Sequence, residues 1–212
     1  MKVEQGISTL FLDIGGVLLT DGWDRYARRR AAREFKLDFA EMEERHHLAF
    51  ETYEEGRLTL EGYLGLVVFH QKRPFARPAF RRFMFSQSKP IPKMLALCAR
   101  LKDLHRLRVI AVSNEARELN AYRIHQFNLT ELVDAFVSSC FVHVRKPDSE
   151  IFRLALDVAQ APARQVAFID NTAMFVDIAR SLGIRAIHHT DYSSTVNKLA
   201  ALGLRSGDGA VP

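Results

Sequence analysis

The chain repeats one pattern, and that pattern narrows its possible folds more than any other feature. Short apolar runs recur at residues 8–14 (STLFLDI), 108–114 (RVIAVSN), 133–139 (VDAFVSS), 165–171 (QVAFIDN) and 184–189 (IRAIHH). Each is the length of a buried strand, and the first is closed by Gly15 and Gly16. Between the last four lie EARELNAYRIHQF, SEIFRLALDVAQ and TAMFVDIARSLG, apolar at helical spacing, the last with Gly183 as a C-cap. Strands alternating with helices of this length predict a parallel sheet covered on both faces, an α/β Rossmann-like, doubly wound core.

Residues 20–90 break the rhythm. They show helical periodicity and no strand, and four helices fit: 24–35, 38–55 ending at Gly56, 59–70 with Thr59 as N-cap, and 78–88 after Pro78. RLTLEGYLGLVVFH is the most apolar of these and is expected to be the inner helix. SKPIPKMLALCARLK then restarts the α/β pattern. The expected organisation is an α/β core from 1–19 and 90–206, a helical domain over 20–89 inserted between the first and second strands, and a loose tail at 207–212.

The 212 residues, 48% hydrophobic and 26% charged, suffice for a buried core. Cys98 and Cys140 are far apart in sequence without metal spacing, so they are expected to be reduced packing residues of a cytoplasmic protein. No apolar run reaches the roughly 18 residues of a membrane span, and no targeting segment is evident. The net charge of +5 is concentrated in RYARRRAAREFK and QKRPFARPAFRRFMF. Without a nucleic-acid-binding module this reads first as a solvated helix face, and nucleic acid is not the expected partner.

In a doubly wound sheet, ligands bind beyond the carboxyl ends of the strands. The residues there are Asp13, Ser113 with Asn114, Lys146 in VRKPD, and Asp170 with Asn171. Two carboxylates, a hydroxyl and an ammonium at one sheet edge suit a metal and a phosphate: Asp13 to attack phosphorus, a divalent ion between Asp13 and Asp170, Ser113 and Lys146 to hold phosphoryl oxygens. Asp148 in KPD reads as a helix cap.

FLDIGGVL, VIAVSN, RKPD with its following helix, and FIDN before IARSLGI resemble the four motifs of the haloacid dehalogenase-like hydrolase superfamily over about residues 8–190. The helical insertion is similar to that family's four-helix cap. The resemblance implies Asp13 as a nucleophile forming an aspartyl-phosphate, Ser113 as phosphoryl-oxygen donor, Lys146 as charge stabiliser, and Asp170 as a Mg2+ ligand. Asn171 and the Gly15 carbonyl join the expected metal shell, and Gly16 and Asn114 the expected substrate-binding set. It also implies a small phosphorylated metabolite, such as a sugar phosphate, as substrate.

Three positions depart from the family pattern. Gly15 stands where its phosphatases usually carry an Asp acting as general acid and base, Asn171 where a second carboxylate is frequent, and Phe175 where an Asp or Asn helps order the metal shell. A backbone carbonyl survives any side chain, so Gly15 leaves the metal role intact while emptying the proton-transfer role. Asp21, or one of His46 and His47, is a candidate substitute, although Asp21 and Asp24 read equally as helix caps. Trp23, Tyr26 and Tyr53 are candidate cleft walls, with packing the commoner role for such residues.

The leading expectation is a Mg2+-dependent phosphatase. The alternatives are a catalytically weak relative that binds a phosphorylated ligand or a protein partner and, further off, a 2-haloacid dehalogenase, against which Asp170 argues.

Overall fold

A computed structural model describes residues 6–207. Its five strands, β1 (Thr9–Leu12), β2 (Arg108–Ser113), β3 (Ala135–Ser138), β4 (Val166–Asp170) and β5 (Arg185–His188), form one parallel sheet in the order β3-β2-β1-β4-β5. All five expected strands are present, each a little shorter than its apolar run. The pleat sends alternate residues to opposite faces. Leu10, Leu12, Ala111, Ala167 and Ile169 join one apolar cluster, and Phe11, Ile110, Val112 and Phe168 join the other.

Four helices lie between β1 and β2: α1 (Arg25–Glu34), α2 (Phe39–Glu54), α3 (Leu60–Val67) and α4 (Arg77–Ser86). Asp24, Asp38 and Thr59 each accept a backbone N–H of the first turn of the helix they precede, satisfying donors the helix itself leaves open. α3 is shorter than expected, stopping at Val67 before VFH, but it is the inner helix: Leu60, Tyr63, Leu64 and Val67 are buried on it. The apolar cluster of this insertion continues into Ala116 and Leu119 at the start of α6 (Arg117–Gln126), so the helices rest on the core.

The remaining helices are α5 (Pro92–His105), α7 (Leu129–Leu132), α8 (Ser139–Val142), α9 (Glu150–Ala159), α10 (Ala173–Ser181) and α11 (Tyr192–Ala201). The short α7 and α8 and the final α11 were not anticipated by the sequence pattern. Asp148, expected as the helix cap, lies one residue before it: the N-cap of α9 is Ser149, and Asp148 Oδ1 accepts from Glu150 N at 2.9 Å across a two-residue turn. Cys98 and Cys140 are both free and buried. Of the expected loose tail, only residue 207 lies among the described residues. No helix among the described residues is long and apolar enough to cross a membrane.

Candidate active site

β1 pairs with β2 on one side and β4 on the other, and the connections run in opposite directions from it. The crevice at such a switch point is where an open α/β sheet binds ligands. Asp13, Ser113 and Asp170 end these three strands or follow them directly, and Lys146 comes in from the loop after α8. They line one cleft of about 270 Å³, apart from Asp170, which is fully buried behind it.

Asp13 Oδ1 accepts from Ser113 Oγ at 2.6 Å and from Ile14 N at 2.9 Å, and Lys146 Nζ lies 3.2 Å from it. The other oxygen, Oδ2, has no hydrogen-bond partner among the described residues. One carboxylate oxygen is therefore tethered and the other is free to react. Ser113 directs its single proton to Asp13, so holding a phosphoryl oxygen requires that hydroxyl to change acceptor when the anion arrives.

Lys146 is fully buried, with Nζ 2.6 Å from Asp170 Oδ2. Burial alone would push the ammonium toward neutrality, but Asp13 and Asp170 outweigh it and hold Lys146 above its ordinary value. Phe175 and Phe168 set their rings 5.1 and 5.6 Å from the same nitrogen. Phe175 thus gives the lysine a cation–π contact from the position where the family usually has a polar side chain. Asn114 bonds both ends of its amide to the Lys146 backbone, donating to the carbonyl and accepting from the N–H, each at 2.8 Å. It positions the lysine, a role the sequence did not suggest.

Asp170 Oδ1 accepts from Thr172 N at 2.7 Å. Burial first, and then repulsion from Asp13, raise its pKa despite the lysine. Two converging carboxylates facing one ammonium favour a further cation. Among the described residues no group of three or more His, Cys, Asp or Glu side chains is placed to hold a metal. A hard ion here would therefore draw on backbone and amide oxygens and water, as Mg2+ does. The turn after β1 leaves one such oxygen open. Gly16 N donates to Leu19 O and Leu19 N donates to Ile14 O, passing over the Gly15 carbonyl. Asn171 turns its amide nitrogen to Asp21 Oδ1 at 3.2 Å, which leaves its amide oxygen without a partner among the described residues.

The expectation for Gly16 needs correction. Its N–H is engaged by Leu19 O at 2.7 Å and is not available to a substrate oxygen. Its requirement is conformational: φ is +71°, and a Cβ there would fall 1.9 Å from Asn171 Nδ2. Gly15 has no positive φ, so its lack of a side chain is not imposed by the backbone.

Of the candidate substitutes for an acid at residue 15, Asp21 lines the cleft while Asp24, not Asp21, caps α1. Burial raises the Asp21 pKa, with the Asn171 donor opposing it. His46 lines the cleft and His47 does not. Trp23 and Tyr53 are buried and line it, whereas Tyr26 is exposed and away from it.

Sequence reasoning missed the buried pair beneath the cleft. Arg123 on α6 bonds Glu115, and also Ser88 Oγ at 3.0 Å and the carbonyls of Thr20 and Asp21 at 3.2 and 2.8 Å. One guanidinium thereby ties together both chain segments that join the helical insertion to the core. Burial lifts Glu115 to about 7, with Arg123 opposing it. The SNEAR stretch carries this glutamate two residues past Ser113, but its partner at 123 is visible only once α6 is placed.

A family model described as haloacid dehalogenase-like hydrolase matches residues 7–183. A HAD family enzyme from Bacteroides thetaiotaomicron, solved in complex with magnesium and inorganic phosphate, superposes with a TM-score of 0.74 at 21% identity, covering 90% of this chain and 99% of that one. The L-2-haloacid dehalogenase of Xanthobacter autotrophicus, with chloropropionic acid covalently bound, gives 0.61 at 15% identity over 93% and 84% of the two chains. Bifunctional epoxide hydrolase 2 of Sus scrofa is 32% identical over 66 residues, which span 31% of this chain and 12% of that longer protein.

Proposed function

The chain belongs to the haloacid dehalogenase-like hydrolases, and from that premise we propose that it is a Mg2+-dependent phosphatase of small phosphomonoesters, such as sugar phosphates. The observation that carries this reading is the asymmetry of Asp13: Ser113 and Lys146 hold Oδ1, while Oδ2 stands free at the cleft. Oδ2 forms a bond to phosphorus as the ester O–P bond breaks, and the departing oxygen takes up a proton from solvent. Water then attacks phosphorus as the Asp13 O–P bond breaks, giving a proton back to solvent, releasing phosphate and restoring the Asp13 carboxylate. Lys146 and the Ser113 hydroxyl stabilise charge on the phosphoryl oxygens as it is transferred. Ligands for Mg2+ would be Asp13, the Gly15 carbonyl, Asp170 and the Asn171 amide oxygen, and the ion supplies charge neutralisation between the two anions. The magnesium and phosphate complex of the Bacteroides relative supports the same reading.

Dehalogenation, the chemistry of the Xanthobacter relative's name, fits less well. Asp170 adds a second buried anion beside the nucleophile, and a haloacid brings no cation to offset it. A screen of phosphorylated metabolites with Mg2+ and with EDTA tests the proposal. Phosphate release that EDTA abolishes supports it, and ligand binding without any release would favour a catalytically weak binding protein.

A further inference from the structure

The wall of the cleft contributed by the helical insertion contains a fixed relay of three aromatic side chains. Trp23 Nε1 donates to Tyr63 Oη at 2.8 Å, and His46 Nδ1 lies 2.7 Å from the same oxygen. An indole nitrogen only donates, and Tyr63 is fully buried, with no other acceptor for its proton among the described residues. Tyr63 must therefore donate to His46 Nδ1, which places the imidazole proton on Nε2. Phe50 stacks on the imidazole at 5.1 Å and holds the ring's orientation. His46 lines the cleft, and with Nδ1 taken by Tyr63 its remaining donor is Nε2–H, which has no partner among the described residues. Burial and the neighbouring Arg28 and His47 keep the ring neutral, with its pKa lowered to about 3.

A second cleft-lining group is also unsatisfied. Tyr53 is 3% exposed, stacks on Tyr63 at 4.3 Å, and its hydroxyl has no hydrogen-bond partner among the described residues. A buried hydroxyl left this way costs free energy that a ligand atom would recover. The charged residues of this wall are engaged: Arg28 with Glu43 and the Trp23 carbonyl, Glu54 with Arg145, Asp24 with the Ala27 N–H and Asp21 with the Asn171 amide. The wall thus offers neutral hydrogen-bonding groups between aromatic faces, and no unpaired cation for a carboxylate.

We propose that His46 Nε2–H, fixed by the Trp23–Tyr63 relay and assisted by the Tyr53 hydroxyl, is a specificity-determining donor that recognises a hydroxyl oxygen of the leaving group, so that the preferred substrates are phosphomonoesters of small neutral polyols. This rests on the phosphatase reading above and adds the part of the substrate that reading leaves open. Tyr63 acts as the positioning residue.

The test pairs glycerol 3-phosphate with propyl phosphate, alkyl esters that differ only in two hydroxyls, and adds 15N NMR of the His46 ring in the whole protein. The intact chain should prefer the glycerol ester. His46→Leu should reduce that preference about tenfold, mainly through KM, as expected for one lost hydrogen bond. Tyr63→Phe should do the same while the His46 spectrum loses its single Nε2–H tautomer. An Nδ1–H or charged His46 in the wild-type protein, or a preference untouched by His46→Leu, would overturn the proposal. Absence of turnover with either ester would instead overturn the phosphatase reading. The donor is then judged by titrating glycerol 3-phosphate: a shifted Nε2 resonance supports it and an unmoved one overturns it.

Discussion

Asp21 borders the space that a side chain on residue 15 would enter: a Cβ built on Gly15 would lie 3.6 Å from Asp21 Oδ1 and 3.5 Å from Asp21 Cα. The same Cβ would come within 3.8 Å of Arg123 Nη1. These are ordinary van der Waals separations, so a Cβ at residue 15 fits without moving the backbone.

Gly15→Asp should therefore fold as the wild type does. Acid–base catalysis is typically worth about 10²–10⁴ in rate, so steady-state turnover of an alkyl phosphate should rise, by up to about 10² given the nearby Asp21 charge. The wild-type chain should show a pre-steady-state burst with p-nitrophenyl phosphate, whose leaving group needs little protonation, and the variant should not. Quench-flow measurements check both. Wild-type kinetics without a burst and no gain in the variant would mean that a group already present handles the proton.

Lys146→Met leaves the buried Asp13 and Asp170 carboxylates without the ammonium that lies 3.2 and 2.6 Å from them. Breaking a buried ion pair from one side typically costs about 3–5 kcal/mol. The variant should melt well below the wild type in EDTA and recover part of the loss in Mg2+, because a bound cation substitutes for the missing ammonium. Its turnover should fall by about 10²–10³ even when saturated with metal. Equal melting with and without Mg2+ would place the ion away from these carboxylates.

Asn171→Asp adds a carboxylate to the proposed metal shell, and the concentration of Mg2+ giving half-maximal activity should fall. It also replaces the donor that faces Asp21 Oδ1 at 3.2 Å with a like charge, so the metal-free variant should be less stable than the wild type. Calorimetric Mg2+ titration with parallel melting curves reads both effects. A Mg2+ requirement that does not change would put residue 171 outside the shell.

Protonation of Glu115 gives a stability profile of definite sign. Its ordinary pKa of 4.5 is lifted to about 7 in the fold by burial, so the folded chain retains a proton there that the unfolded chain releases. The resulting stabilisation is complete below pH 4.5 and is lost as pH rises from 4.5 to 7. At 1.36 kcal/mol per pH unit the loss is of order 3 kcal/mol. Burial raises Asp170 and Glu54 as well, so both act in the same direction. Denaturant unfolding in EDTA should show stability declining across this window, and Glu115→Gln should flatten the decline. A profile that rises toward neutrality would show that Arg123 holds Glu115 ionised.

The sheet was legible because period and length alone distinguish buried parallel strands from helices, and the residues ending those strands lie at the site for topological reasons. The insertion was legible from its helical period, its caps and Gly56. Contacts between distant segments were not. Neither Asn114 clasping the Lys146 backbone nor Arg123 joining Glu115, Ser88 and Asp21 has a local signature, since each pairs residues that only the fold brings together. Phe175 read as the loss of a side chain that helps order the metal shell, and its second role, an aromatic face on a buried ammonium, appeared only with the fold. The sequence assigned Gly15 and Gly16 different roles but did not show which of them needs a glycine backbone. Only the backbone reveals that the positive φ, and with it the strict need for glycine, belongs to Gly16.

The central claim is that the free oxygen of Asp13 takes up a phosphoryl group, and the most direct measurement is acid quench of the enzyme during turnover of p-nitrophenyl phosphate with Mg2+, followed by mass spectrometry of its peptides. The account predicts one added phosphoryl group, located on Asp13, sensitive to hydroxylamine and absent from Asp13→Asn. Turnover with Asp13 unmodified at every quench time, or turnover retained in Asp13→Asn, would contradict it.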